Sequence, residues 1–444
     1  MSLFSAINTA ISGLTSQSSA FGNISEDVAN SQTTGFKRVD TSFIDYLTTS
    51  TPTQNAPGAV VARPDYVNNV QGSITQTSNP LGMAVAGQGF FAVSQATGQV
   101  NNQPTFNPQQ FYTRGGDFTM NSTGYLVNSA GQYLNAWSVN PSTGVVDQNA
   151  VSPVQVSQST YNPVASSNVT LAANLPATPT AGTATAASPL SSQITVYDSL
   201  GTAHTVGLNW TQNAANDWTV NVNVPDSTTG TTDAGSANVQ FGSLSGNAVP
   251  EGTIGQVAAS TTDPGTVTTA GYTNGQPATL KFTTNFGSGS QTIQLNLGNY
   301  GGTTGVTQYA GTAYSLLGLT QDGVPPGNFS GVTAQANGDV VVNYNNGQSR
   351  TIAQIPLVTF NNPNALQSQN GQAFTATIAS GTPLADAVGT NGAGNLVVGS
   401  VEGSNVDIAT EFSNLIVAQQ AYSSNAKVVT TATQMLQSTL QMVA

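Results

Sequence analysis

Residues 408–443 read IATEFSNLIVAQQAYSSNAKVVTTATQMLQSTLQMV. Apolar or small residues, with an occasional polar step, recur there at alternating intervals of four and three. The row is Ile408, Phe412, Leu415, Gln419, Tyr422, Ala426, Val429, Thr433, Leu436, Leu440 and Val443. A 3.5-residue period lays a narrow apolar seam along an α-helix. No Gly or Pro interrupts the run, and at 1.5 Å per residue the helix would be about 54 Å long. Ser404 and Asp407 stand where an N-cap and its reciprocal carboxylate belong. A lone helix with one such stripe is marginal in water and needs a partner for it.

The other end of the chain offers one. Leu3, Ile7, Ala10, Leu14, Phe21, Ile24 and Val28 keep the same period, with Gln17 and Ser18 as a polar step. Gly13 and Gly22 cost this helix about 1 kcal/mol each relative to Ala. With Ser12, Ser16, Ser19 and Ala20 they also leave room for a close neighbour. Asn30-Ser31-Gln32-Thr33-Thr34-Gly35 ends the helix, with Gly35 as the stop. The expected seam is Leu3, Ile7, Leu14, Phe21 and Val28 with Ile408, Phe412, Leu415, Tyr422, Val429, Leu436, Leu440 and Val443. Pattern alone fits an intramolecular helix pair and a self-assembling core equally well.

Composition removes several functions. Only 6% of the 444 residues are charged, against roughly a quarter in ordinary soluble domains. The seven basic residues, Lys37, Arg38, Arg63, Arg114, Lys281, Arg350 and Lys427, form no patch, and the net charge is −12. Nucleic-acid binding needs a positive footprint and is not expected. The chain has no cysteine, which removes disulfides, thiolate zinc sites and thiol catalysis. No basic residue precedes Lys37 and the early apolar residues are spaced, so no cleaved signal peptide is expected. No apolar run is long enough to span a bilayer as a helix.

Between the termini the period changes to two. Residues 36–80 carry Pro52, Pro57, Pro64 and Pro80 among short apolar islands and read as an extended connector. Residues 81–164 begin a β domain, with Ala84-Val85-Ala86 and Phe90-Phe91-Ala92-Val93 around Gly87 and Gly89, and a hairpin at Asn128-Ser129-Ala130-Gly131. Residues 165–328 are rich in Thr, Gly and Ser, with alternating strands such as Trp218-Thr219-Val220-Asn221-Val222, and read as a separate all-β insert. Two stretches within them, Ala177 to Ala187 and Asp226 to Ala237, read as loops. Residues 329–399 return to the first β domain, with a hairpin at Asn346-Gly347. The expected fold is mainly β with terminal α-helices. An N-terminal coiled-coil helix (1–35) pairs with a C-terminal one (400–444), beside an inner β domain and an outer inserted β domain.

Several stretches resemble one family. Ala29-Asn30-Ser31-Gln32-Thr33-Thr34-Gly35-Phe36-Lys37 is similar to the N-terminal signature of flagellar rod and hook proteins. Gly87-Gln88-Gly89-Phe90-Phe91 and Tyr112-Thr113-Arg114-Gly115-Gly116-Asp117-Phe118 look like inner-domain motifs of the same proteins. Val401-Glu402-Gly403-Ser404-Asn405-Val406-Asp407, followed by Glu411-Phe412, Gln420-Ala421-Tyr422 and Asn425-Ala426-Lys427, resembles their C-terminal signature. Within that family the size of the 165–328 insert, with Val196-Tyr197-Asp198-Ser199-Leu200-Gly201 and Phe360-Asn361-Asn362-Pro363-Asn364-Ala365-Leu366, resembles bacterial flagellar hook proteins. The resemblance implies a structural subunit exported through the flagellar type III apparatus without a cleaved signal peptide. It would polymerise outside the cell, under a hook cap protein, into a short curved tube. That tube would join the distal rod protein to the hook–filament junction protein and pass motor torque to the filament.

Other readings stand beside this one. A distal rod subunit would form straight tubes. A secreted β-rich adhesin would form a defined small oligomer and bind a ligand through its insert. An enzyme would need a cluster of acids and bases in one cleft, for which the sequence offers few candidates, and no cofactor or metal is expected. Ser424-x-x-Lys427 imitates a serine-nucleophile motif but lies mid-helix without a second signature. His204 reads as a loop or edge residue rather than a ligand. Gly87-x-Gly89 precedes no helix and reads as a tight β turn rather than a phosphate cradle. Arg114 and Asp117 are placed to pair across a turn.

Overall fold

The computed structural model describes residues 3–51, 54–141, 143–263 and 265–443. Within these, the side chains of Leu3, 48–51, 54–57, Leu440, Met442 and Val443 lie outside the description. The seam positions Leu3, Leu440 and Val443 therefore fall outside the described side chains. The chain divides into two units. The terminal unit holds Met1–Gln158, Ser330–Asn343 and Ser349–Ala444, and the inserted unit holds Ser159–Phe329 and Tyr344–Gln348.

Helix α1 (Leu3–Ala29) and helix α2 (Ile408–Val443) belong to the terminal unit and pack against each other. They run antiparallel: Gly13 lies against Asn425, while Phe21 meets Tyr422 edge-on at 6.3 Å between ring centres. A Cβ at Gly13 would sit 2.9 Å from Asn425 Nδ2, so the absent side chain is what admits the close approach. The cap of α2 differs from the expected one. Asp407, not Ser404, is the N-cap, because its Oδ1 accepts from the N–H groups of Ala409 at 2.9 Å and Thr410 at 3.3 Å. Ser404 Oγ instead accepts from Val406 N.

Residues 36–80, expected as an extended connector, contain a long hairpin of β1 (Val39–Thr51) and β2 (Gln54–Tyr66). Val39 pairs with Tyr66 and Phe43 with Ala62, and the ladder shifts register around Leu47, which faces Pro57. The prolines argued against a strand, yet a two-stranded sheet consists of edges, where a missing N–H is tolerated. The hairpin is laid on α1 by a row of short polar side chains. Thr9 Oγ1 donates to Gly58 O (3.1 Å), Ser16 Oγ to Val60 O (2.8 Å) and Asn23 Nδ2 to Thr41 Oγ1 (2.9 Å). Val60 N donates to Ser12 Oγ (3.0 Å), and Val39 N to Asp27 Oδ1 (3.0 Å). So α1 carries two working faces, an apolar and small one for α2 and a hydroxyl and amide one for the hairpin.

The β body of the terminal unit is built on one sheet. Its path runs Phe329–Ala334, Asp339–Tyr344, Ser349–Gln354, Gln132–Val139, Phe90–Val100, Phe111–Thr113, Ala373–Thr375, Gln367–Gln369. Strands from 329–375 thus interleave with strands from 90–139. Asn128–Gly131 turns Leu126–Val127 into Gln132–Val139, and Asn346-Gly347 turns Asp339–Tyr344 into Ser349–Gln354. Phe90, Tyr112, Phe360 and Phe374 meet edge-to-face in a buried cluster, the preferred aromatic geometry.

The inserted unit is two sheets around one apolar core. Leu190–Tyr197, Ala203–Ala214, Asp217–Asn223, Asp233–Phe241 and Ile254–Ala259 form a consecutive antiparallel meander. The other sheet centres on Asn168–Asn174, which pairs in parallel with Ser290–Asn299. Trp210, Trp218, Leu171, Phe282 and Leu295 fill the space between them. The strand Asp233–Phe241 begins inside a stretch that reads as loop, because its inward residues Ala234, Ser236 and Ala237 are too small to signal a core face.

Candidate functional site

The two signatures and the Arg114 motif meet at one point in the terminal unit. Gly35 leaves the end of α1 with φ of +71°, and a Cβ there would run into the backbone of Arg114 and Gly115. Only glycine fits both demands. Gly35 N donates to Glu402 O at 2.8 Å, and Phe36 beside it is buried. The Glu402 carboxylate is held between two cations: Lys37 Nζ lies 2.5 Å from Oε1 and Arg114 Nη1 lies 3.1 Å from Oε2. The side chains of Lys37 and Glu402 are 0% exposed. Most of the remaining donors and acceptors are used as well, Arg114 Nε excepted. Lys37 Nζ also donates to Val70 O (2.7 Å), and Gly72 N to Glu402 Oε1 (2.9 Å). Arg114 reaches Val85 O (3.1 Å) and Gly87 O (2.7 Å), and stands over the Phe90 ring at 5.1 Å. Asn405 completes the knot, accepting from Arg38 N (2.8 Å) and donating to Val67 O (3.0 Å) and Val70 O (3.2 Å).

Burial pulls the Lys37 and Arg114 pKa values down, and the Glu402 charge opposes this in both. A buried ion pair repays its desolvation only when its geometry is good and its remaining groups are bonded; here they largely are. The expected pairing of Arg114 with Asp117 does not occur. Arg114 turns inward to Glu402, and Asp117 Oδ2 accepts from Ser129 N at 3.3 Å. The knot joins the chain leaving α1, the chain entering α2 and a β turn. It is an anchor, closed to water, and offers no reacting group.

The other signature residues are local. Ala29 is the last helical residue of α1. Asn30 Nδ2 donates to Glu26 O, one of the last carbonyls of α1. Thr34 and Val406 are half-buried beside the knot.

Of the expected seam, one row faces α1 and the other does not. Leu415, Val429 and Leu436 are half-buried on α2, as are Ile7, Leu14, Phe21 and Val28 on α1. Tyr422 touches Phe21. Ile408 and Phe412 are exposed, Phe412 by 53%. Their place is taken by Glu411, Ala418 and Ala432, which are buried, and by Asn425 against Gly13. Small residues on this flank permit the close approach, and the larger apolar flank is left uncovered. It forms a row with Ile416 (57%) and Val417 (67%). The hairpin adds Phe43, Tyr46 and Leu47, likewise exposed.

Asp27 sits where α1, the hairpin and α2 meet and is 1% exposed. Burial raises its carboxyl from the ordinary 3.8 to about 7, helped by Glu411, Asp40 and Glu26, against the bond from Val39 N. The unfolded chain loses this proton near 3.8, whereas the folded chain keeps it to about 7. Between those values the folded state binds more protons, so stability falls as pH rises from about 4 to about 7. Asp27→Asn keeps an acceptor for Val39 N. It is expected to raise stability at pH 8 by roughly 2 kcal/mol and to flatten that slope. Urea titrations at pH 5 and pH 8 measure this; equal stability of the two proteins at pH 8 would refute the assignment.

Two further candidates have structural roles. Ser424 is exposed and its hydroxyl donates to Gln420 O within α2. His204 stacks on Phe286 at 4.0 Å, with its ring nitrogens 3.7 Å from Asp198 and 3.4 Å from Asp226. It is the second residue of the strand Ala203–Ala214, which pairs with a neighbour on each side and so is not an edge strand. Among the described residues no group of acidic and histidine side chains has the arrangement of a metal site.

Comparison with known proteins places the chain among flagellar axial proteins. Three family models match in chain order: a flagellar hook protein FlgE/F/G D1 domain over residues 84–170, a flagellar basal body protein FlaE D2 domain over 166–324, and a flagellar basal body rod FlgEFG protein C-terminal region over 397–442. The flagellar hook protein FlgE of Brucella suis is 28% identical over 98% of both chains. That of Escherichia coli is 28% identical over 97% of this chain and 98% of its own. This chain belongs to the flagellar hook protein family. A solved structure, the Helicobacter pylori flagellar hook protein FlgE2, is similar with a TM-score of 0.46 and 13% identity, covering 72% of this chain and 98% of that one. The matched C-terminal region contains Glu402, Asn405 and all but the last residue of α2, so part of this chain's anchor lies within the segment that the family model matches. Glu402 is the residue that sequence reasoning quoted without a role. Its signal was an acid within a signature, ahead of the helix cap Asp407, in a chain with few charges.

Proposed function

We propose that the chain is a structural, non-enzymatic subunit that self-assembles into the curved tube of the flagellar hook. The observation that carries this is the uncovered apolar flank of α2, Ile408, Phe412 and Ile416, on a helix whose other side is already satisfied by α1. A helix pair that still presents a second apolar stripe has surface left for further copies. Contacts of that kind are firm, at roughly 25 cal/mol per Å² of apolar area. The nearly uncharged Thr, Ser and Asn faces of the β units support weak contacts that exchange with water at little cost. Firm helical contacts together with exchangeable β contacts suit a tube that bends while it carries torque. Head-to-tail contacts between different faces leave the polymer open-ended. On this reading the expected seam residues act in the polymer as well as in the pair, and the signature residues hold the helices in the orientation that assembly needs. The hook cap protein, distal rod protein, hook–filament junction protein and type III export apparatus are the proposed partners. The proposed location is outside the cell.

Negative-stain imaging of the purified protein under polymerising conditions tests this. Curved tubes are expected. Straight tubes would favour a distal rod subunit, and a defined small oligomer that never elongates would overturn the polymer.

A further inference from the structure

We propose that the cleft between α1, β1 and the start of α2 receives the Lys427 ammonium of a neighbouring copy in the assembled tube. The inference rests on the polymer reading and names one of its contacts. The cleft holds about 360 Å³ and is lined by Ala20, Ile24, Arg38, Asp40, Glu411 and Asn414 among others. Glu411 is 2% exposed, yet its Oε1 has no hydrogen-bond partner among the described residues. A buried carboxylate oxygen without a donor is costly, and in a native protein it points to a partner not yet in place. Burial accordingly raises the Glu411 pKa, partly offset by Asn414. Asp40 and Asp407 add negative charge near Glu411, and Arg38, which lines the cleft and offsets part of it, is paired with Asp40 at 3.3 Å. The site is therefore short of positive charge.

Within the terminal unit, Lys427 is the cation free to supply it. Lys37 and Arg114 are buried on Glu402, Arg63 donates to Tyr46 Oη, and Arg350 is half-buried on the strand Ser349–Gln354 of the β body, whereas Lys427 stands on the helix pair itself. Lys427 is exposed on α2 and makes no ion pair among the described residues. Asn425 and Val429 face α1, so Lys427, two residues from each, points away from it. Its own chain's cleft lies on the α1 side, and the contact must come from another copy. Knob and socket lie on different faces, so the contact is heterologous and does not close on itself. Glu411 and Lys427 are separated by sixteen residues of α2. For parallel helices the two copies would then be offset by about 24 Å along the helix axis.

The chain has no cysteine, which makes engineered thiols unambiguous. Lys427→Cys combined with Asn414→Cys, assembled into tubes and treated with a short bismaleimide, is expected to give a ladder of covalent oligomers. Either single variant should give no ladder. Independently, Lys427→Glu is expected to raise the critical concentration for assembly by roughly ten-fold or more, while Lys427→Arg assembles like wild type. Tubes that form without the ladder, or Lys427→Glu assembling at the wild-type concentration, would overturn this contact and leave the polymer reading intact. A wild-type chain that forms no tubes would overturn both.

Discussion

Glu402→Gln is expected to destabilise the terminal unit by about 3–5 kcal/mol, the range for removing one partner of a buried ion pair. The substitution keeps the shape and one acceptor but deletes the charge between Lys37 and Arg114, which are fully or nearly fully buried. Lys37 can respond by shedding its proton, since burial already pulls its pKa down and Glu402 is what holds it up. Arg114 cannot. It would keep Val85 O, Gly87 O and the Phe90 ring but lose the Glu402 counter-charge. The inserted unit has its own core and should be unaffected. Calorimetry of the monomer would thus show one transition lowered and one unchanged. A loss below about 1 kcal/mol would mean that the hydrogen bonds around the knot, not its charges, hold the helices. The double variant Glu402→Gln with Lys37→Met tests coupling: it should cost less than the two single changes added together, since one unpaired charge is removed with the other.

The periodicity of α2 was legible in sequence, and so was its pairing with α1. The side of α2 that faces α1 was not fully legible. A 3.5-residue repeat leaves two flanks beside the shared row Leu415, Tyr422, Val429 and Leu436. Hydrophobicity points to the Ile408 and Phe412 flank. The structure uses the flank of Glu411, Ala418, Asn425 and Ala432, because small residues there let the helices approach at Gly13. Polar α1 residues were likewise only partly legible: Ser12 and Ser16 read in sequence only as room for a close neighbour, yet with Thr9, Asn23 and Asp27 they follow a helical period that the hairpin explains. Arg114 was matched to Asp117 by proximity, but its partner Glu402 is 288 residues away in sequence. No local rule reports a contact of that range. Turns fared better, because Asn346-Gly347 and Gly35 impose their conformation locally.

Phe412→Asp together with Ile416→Asp is expected to abolish tube formation at ordinary concentrations while leaving the monomer folded. Scattered exposed apolar residues are common and mean little. These are not scattered: Ile408, Phe412 and Ile416 recur every four residues on a helix otherwise rich in Thr, Ser and Gln, with Val417 beside them. Burying one such side chain against a neighbour contributes roughly 1.5–3 kcal/mol. Losing two, and burying carboxylates in their place, should raise the critical concentration by more than about a hundred-fold. The comparison that isolates the effect is Leu415→Asp. Leu415 lies on the row that faces α1, so its loss should unpair the helices and lower helicity in the monomer. Phe412 and Ile416 do not contribute to that pairing, so their loss should leave helicity and melting near wild type. Sedimentation of the polymer and circular dichroism of the monomer separate the two outcomes. Normal tubes from the Phe412 and Ile416 variant would show that this flank is not a contact between copies, and the assembly surface would then have to be sought on the hairpin residues Phe43, Tyr46 and Leu47.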